Sequence, residues 1–180
     1  MKRLTFTMVF ISLVFCIILY AAGSYTDNSN GTIKDNITGL TWTRCSMTDA
    51  NSSNPVMDNT TGCTNTPGIG KWTDAMAACE NLDFAGKTDW RLPNVVELHS
   101  LVDVDKSPLI DTAFFPNIPG IFAYYWTSTT YNGAIGSSSP ICSPKTNCAW
   151  YVNFNDGYVE GDKIRSIKST ENYVRCVSGP

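Results

Sequence analysis

The sequence predicts an α+β domain in which two helices pack on short, mainly antiparallel strands. Three observations carry this. Strand-like text comes first, two helical segments follow near mid-chain, and strand-like text resumes after them. Asn155-Asp156-Gly157 separates two β-prone runs, a strong hairpin signal. Six of the seven cysteines lie beyond the amino-terminal segment, an even number that suits three disulfides in an exported chain.

Residues 1–23 read as a signal peptide. Lys2 and Arg3 precede an uncharged run over 4–20, and Ala21-Ala22-Gly23 supplies small residues for cleavage. An uncleaved amino-terminal anchor is the alternative, and the only expected link to a membrane. Lipidation at Cys16 is disfavoured because bulky Val14 and Phe15 precede it. Residues 24–30 are polar and read as a flexible lead-in, and 31–180 read as a single domain.

Within that domain, 32–34 and 40–44 read as strands joined by the turn formers Asp35-Asn36-Ile37-Thr38-Gly39. Leu40 and Trp42 alternate with Thr41 and Thr43, which assigns Trp42 to the core. Residues 45–71 are poor in apolar side chains and read as a long surface loop, tethered if Cys45 pairs with Cys63. Glycosylation-type matches stand at Asn30, Asn36, Asn51 and Asn59.

Trp72, Ala75, Met76, Cys79 and Leu82 recur at three-four spacing, predicting a helix over 72–82 with Cys79 on its buried face. The next segment turns from extended to helical within a few residues. Pro93 biases Leu92 away from helical angles, Asn94 can cap, and Glu97 can close a capping box. Val95, Leu98 and Val102 then share a stripe with Leu101 beside it, predicting a second helix over 95–102. Trp90 reads as a core aromatic and Arg91 as a buried arginine satisfied by a carboxylate or carbonyls.

Residues 103–120 are irregular, and 124–130 are strongly β-prone. A Gly/Ser/Pro loop over 133–144 contains Cys142 and closes at Cys148. Residues 150–154 and 158–160 form the hairpin arms, and 173–177 a final short strand.

Composition removes several function classes. Without residues 1–23 the chain keeps 157 residues, enough for a hydrophobic core, and 11 basic against 16 acidic side chains, a net −5. Nucleic acid is therefore not an expected partner, since phosphate neutralisation drives such binding. There is no C-x-x-C pair and His99 is the sole histidine, so disulfides are favoured over zinc. No metal triad, nucleophile elbow or phosphate loop is present, and His99 has no Ser or Cys partner at motif spacing. Neither catalysis nor a cofactor is expected.

Four pieces occur in order: Asp35-Asn36-Ile37-Thr38-Gly39-Leu40-Thr41-Trp42, Asp89-Trp90-Arg91-Leu92-Pro93 with Glu97-Leu98, Tyr125-Trp126-Thr127-Ser128, and Tyr173-Val174-Arg175-Cys176-Val177. Together they resemble the Lcl C-terminal domain family, named for a bacterial collagen-like adhesin, over roughly residues 31–177. The resemblance implies a C-type-lectin-like fold, shared distantly with formylglycine-generating enzymes. It also implies a bridge from the first helix to the last strand, here Cys79 to Cys176. Such a bridge closes 97 residues and contributes on the order of 4–5 kcal/mol by chain entropy. Cys142 with Cys148 would fasten the loop before the central strand. Trp42, Trp90, Arg91, Pro93 and Glu97 take structural roles.

The expected function is recognition at the bacterial envelope or surface (periplasmic, cell-surface or secreted), by adhesion-like, non-catalytic binding of a carbohydrate or protein. Trp126, Tyr151, Asn153, Asn155, Asp156 and Tyr158 are the ligand-binding candidates, since rings stack on sugars and amides bond hydroxyls. Lys163, Arg165 and Lys168 form the basic cluster, where weak, salt-sensitive anion recognition is the most that is expected. Phe154-Asn155-Asp156 is similar to the calcium motif of sugar-binding C-type lectins, but the Glu-Pro-Asn or Gln-Pro-Asp loop is missing. A hairpin turn accounts for it without a metal. The first alternative is an interaction or structural module of the envelope that binds no glycan. The second is an oxidase resembling formylglycine-generating enzymes, which would need reduced Cys142 and Cys148.

Overall fold

The structure, a computed structural model, describes residues 24–50, 55–58, 62–120, 122–133 and 140–179. The signal or anchor segment 1–23 lies outside the described residues, as do Asn51 and Asn59.

Two five-stranded sheets organise the molecule. The first begins with β1 (Tyr25–Asp27), β2 (Thr32–Asp35) and β3 (Thr41–Thr43), paired antiparallel in sequence order. Part of the segment read as a flexible lead-in is therefore strand. Tyr25 explains it, because its ring packs on Phe114 and Phe115 at 5.4 and 5.2 Å. The β2–β3 turn is closed by Asp35, whose carboxylate accepts from the amides of Ile37 and Thr38 and from the Thr38 hydroxyl.

The region read as a long loop carries three short strands: β4 (Met47–Asp49), β5 (Val56–Met57) and β6 (Ile69–Gly70). Met47 and Ala50 are fully buried there. Two isolated apolar residues leave no periodicity to detect, yet both join the core. Helix α1 (Trp72–Glu80) buries Ala75, Ala78 and Cys79. After it come β7 (Trp90–Arg91) and α2 (Val95–His99).

At α2 the capping box forms as expected. The Asn94 side chain accepts from the Glu97 amide at 2.9 Å, and the Glu97 carboxylate accepts from the Asn94 amide at 2.8 Å. The helix stops at His99, short of the predicted Val102. The Ser100 hydroxyl donates to the Glu97 carbonyl at 2.7 Å, and the chain tightens into a turn that still buries Leu98 and Leu101. The Pro93 carbonyl accepts from the Ser128 amide, and the Val95 amide donates to the Thr129 hydroxyl, which ties α2 to the second sheet.

The second sheet contains β8 (Tyr124–Thr130), β9 (Ala149–Asn153), β10 (Val159–Glu160) and β11 (Asn172–Tyr173), in the order β10-β9-β8-β11-β6. Its pairings are antiparallel except for β8 with β11, joined in parallel through Tyr125 and Tyr173. β12 (Val177–Ser178) returns to the first sheet and lies between β3 and β7. The final strand of the sequence reading is thus two strands in two sheets, with Val174-Arg175-Cys176 crossing between them.

Both faces of the β8–β9 ladder are covered. Trp126 and Tyr151 belong to a cluster with Ala75, Cys79 and Trp90, whereas Tyr125 and Val152 belong to one with Trp42, Leu98 and Phe115. Three disulfides join Cys45 to Cys63, Cys79 to Cys176 and Cys142 to Cys148. Cys79–Cys176 fastens α1 to the crossing segment at the centre of the first cluster.

The buried arginine is not the one expected. Arg91, read as buried, is 37 % exposed and pairs with Glu97 through two bonds of 2.8 Å. The buried arginine is Arg175, 1 % exposed. Its guanidinium donates to the Thr43 and Arg44 carbonyls and to the Ser46 hydroxyl, flanked by the Phe115 and Tyr125 rings. It has no carboxylate partner among the described residues. Neutral carbonyl and hydroxyl oxygens hold its two terminal nitrogens instead, while the buried Nε has no hydrogen-bond partner.

Candidate functional site

Two surface depressions lie near where the chain leaves β10. The preceding hairpin turns at Gly157, whose φ of +73° is the left-handed region that glycine adopts freely. The Asn153 side-chain oxygen accepts from the Asn155 amide, and Asp156 accepts from the Tyr158 amide, both at 3.0 Å. Turn-forming side chains are thereby engaged locally, as a hairpin requires.

Beyond Glu160 the backbone passes over two rings. A Cβ on Gly161 would lie 2.3 Å from Tyr131 and 2.9 Å from Trp150, so glycine is what lets the chain through. The two rings meet edge-to-face at 5.3 Å. A single turn of 3-10 helix follows at Ile164–Ser166. Residues 160–163 thus line one depression and Arg165 another.

The first is an open groove of about 640 Å³, lined by Thr130, Tyr131, Asn132, Trp150, Glu160, Asp162 and Lys163 among others. The second is a cleft of about 140 Å³ between Ile69, Phe122, Tyr124, Arg165, Glu171, Asn172 and Tyr173. The Arg165 guanidinium lies over the Tyr124 ring, 5.6 Å from its centre, and Tyr124 meets Tyr151 edge-to-face at 5.2 Å. The Tyr151 hydroxyl donates to Glu160. Burial, and then the neighbouring Glu160 carboxylate, push this phenol well above its ordinary range, so Tyr151 stays a neutral donor.

A family model for the Lcl C-terminal domain matches residues 31–178. The chain belongs to that bacterial family. A search of curated proteins finds no match. This Lcl C-terminal domain carries three disulfides, as chains of oxidising compartments do, and no helix among its described residues is long and apolar enough to cross a membrane.

The candidate residues of this Lcl domain divide sharply. Asn155, Asp156, Tyr158, Lys163 and Arg165 are exposed. Trp126, Tyr151 and Asn153 are not. Trp126 is fully buried with its indole N–H donating to the Gly70 carbonyl, while Tyr151 and Asn153 are each 2 % exposed. The physical reason is that both faces of the ladder are covered, so residues in the strand bodies are core and exposure falls to the turns.

The basic cluster also disperses. Lys163 shares its groove with Glu160 and Asp162, and Arg165 faces the smaller cleft. Lys168 sits over the Trp72 ring at 3.8 Å and donates to the Thr130 hydroxyl, with burial lowering its pKa. No continuous basic patch joins the three.

Tyr131, Trp150, Phe122, Tyr124 and Glu171 were missing from the candidate list. Phe122 and Glu171 lie outside recognisable motifs, and Trp150 could have been separated from Tyr151 by strand alternation alone. Cys142 and Cys148 are bonded to each other, and His99 is exposed on α2. Among the described residues no three His, Cys, Asp or Glu side chains converge as a metal set.

Proposed function

We propose that this exported bacterial domain is a non-catalytic recognition module, and that it binds carbohydrate through the two depressions beside residues 160–165. The supporting observation is the combination there of aromatic rings with polar side chains at an open surface. Rings offer faces to sugar C–H groups, and amides, hydroxyls and carboxylates meet sugar hydroxyls. A C-type-lectin-like fold is consistent with this reading and with the bridge from α1 to the segment before β12. On a glycan array, the oxidised chain is expected to give discrete hits that weaken in Lys163→Ala or Arg165→Ala. A blank array, or hits indifferent to both substitutions, defeats the reading.

One observation favours a protein ligand instead. Phe122, Tyr158 and Ile164 are 59, 65 and 67 % exposed, large apolar side chains left at the surface. Affinity capture from envelope membrane extracts, with Ile164→Glu as the comparison, separates this envelope-module reading from glycan binding.

A further inference from the structure

We propose that the smaller cleft is a subsite for one uncharged sugar ring, set by Arg165 and Glu171, and that it gives polyanionic glycans no preference. This rests on the carbohydrate reading above and assigns it a place and a ligand class.

The two charged groups of the cleft are opposite in sign and do not pair with each other. No ion pair or hydrogen bond engages the Arg165 guanidinium or the Glu171 carboxylate among the described residues. Arg165 is nevertheless placed, because the 3-10 turn carries it and its guanidinium rests over Tyr124. Its backbone carbonyl accepts from the Asn172 side-chain amide at 2.9 Å, which fixes the turn against β11. Asn172 is itself buried beneath the cleft, and its side-chain oxygen has no hydrogen-bond partner.

A guanidinium only donates and a carboxylate only accepts. A sugar hydroxyl does both, so adjacent hydroxyls on one ring can accept from Arg165 and donate to Glu171. Phe122, exposed at the rim, offers an aromatic face for the C–H side of the same ring. The charges cancel within a space of about 140 Å³, room for one ring and not for a chain. A uronate or sulfate would gain Arg165 but meet Glu171, and an amine would gain Glu171 but meet Arg165, so a charged sugar has no net advantage there. The larger groove gives polyanions no better site, since Lys163 stands there with Glu160 and Asp162.

The test is amide chemical-shift mapping on the oxidised chain. The probes are methyl glucoside, methyl galactoside, methyl mannoside and N-acetylglucosamine, with glucuronate, glucosamine and dextran sulfate as charged counterparts. At least one neutral probe is expected to shift amides of residues 122–124 and 165–173 saturably. Arg165→Met and Glu171→Ala should each weaken it about tenfold. Lys34→Ala, on the other sheet, should leave it unchanged. The amide spectrum of each variant reports directly whether it folds. Shifts confined to residues 129–133 and 160–163, lost in Lys163→Ala, would overturn the subsite while leaving carbohydrate binding intact. Preference for glucuronate or dextran sulfate, strengthened by Glu171→Ala, would overturn the ligand class. Silence with every probe would overturn the subsite, while the glycan array decides the broader reading separately.

Discussion

Glu97 joins two devices with one side chain. One carboxylate oxygen accepts from the Asn94 amide and from Arg91, and the other accepts from Arg91. The Arg91 hydrogen bonds, with the capping bond behind them, hold the Glu97 carboxyl below its ordinary range. A carboxylate depressed in the folded state stabilises above its unfolded pKa, and that stabilisation is lost as pH falls through the folded value. Glu97→Gln can still cap but cannot pair, so it isolates the ionic part. Arg91 is 37 % exposed, and solvent screening limits the pair to about 1 kcal/mol. Urea denaturation should therefore show wild type ahead by roughly that amount at neutral pH, with the gap closing as the medium is acidified into the carboxylate range. A gap independent of pH would mean that packing, not charge, is what Gln disturbs.

At the scale of elements, local chemistry was legible and long-range neighbours were not. Asn94 and Glu97 declared the α2 cap because a capping box is written within four residues. Asn155-Asp156-Gly157 declared its hairpin for the same reason. Met47 and Ala50 declared nothing, since the partners that bury them come from α1 and the crossing segment. Trp126 and Tyr151 were misplaced as surface because a sheet covered on both faces gives no polar alternation. The cleft was least legible, as Phe122, Arg165 and Glu171 converge from three separated segments. The Cys79–Cys176 pairing came from family resemblance, because six cysteines allow 15 arrangements. Gly161 is where an element-level prediction is sharpest. A Cβ there meets the Tyr131 and Trp150 rings at 2.3 and 2.9 Å, and ring atoms held in an edge-to-face pair cannot retreat cheaply. Gly161→Ala should cost about 1–3 kcal/mol by overpacking and redshift tryptophan fluorescence as Trp150 is displaced. Unchanged stability and emission would show that this stretch of backbone is free to lift.

At the scale of the whole molecule, residues 172–178 give an inner strand to each sheet, β11 between β8 and β6, and β12 between β3 and β7. Neither sheet can close without them. Contacts of such sequence separation fold slowly, because chain closure comes before its reward.

The disulfides inherit that order as a problem of succession. A chain oxidised as it emerges from its amino end would join neighbouring cysteines, Cys45 to Cys63, then Cys79 to Cys142, then Cys148 to Cys176. Only the first of these is native, since the Cys142–Cys148 bridge is nested inside Cys79–Cys176. Two of the three bonds must be made late or made twice, so the molecule's yield should depend on thiol–disulfide exchange and not on oxidant alone. Expression with and without a disulfide isomerase, followed by non-reducing peptide mapping, should find Cys79–Cys142 accumulating where the isomerase is missing. Native mapping in both hosts would mean instead that Cys79 waits for its partner, shielded inside α1 while the rest of the chain arrives.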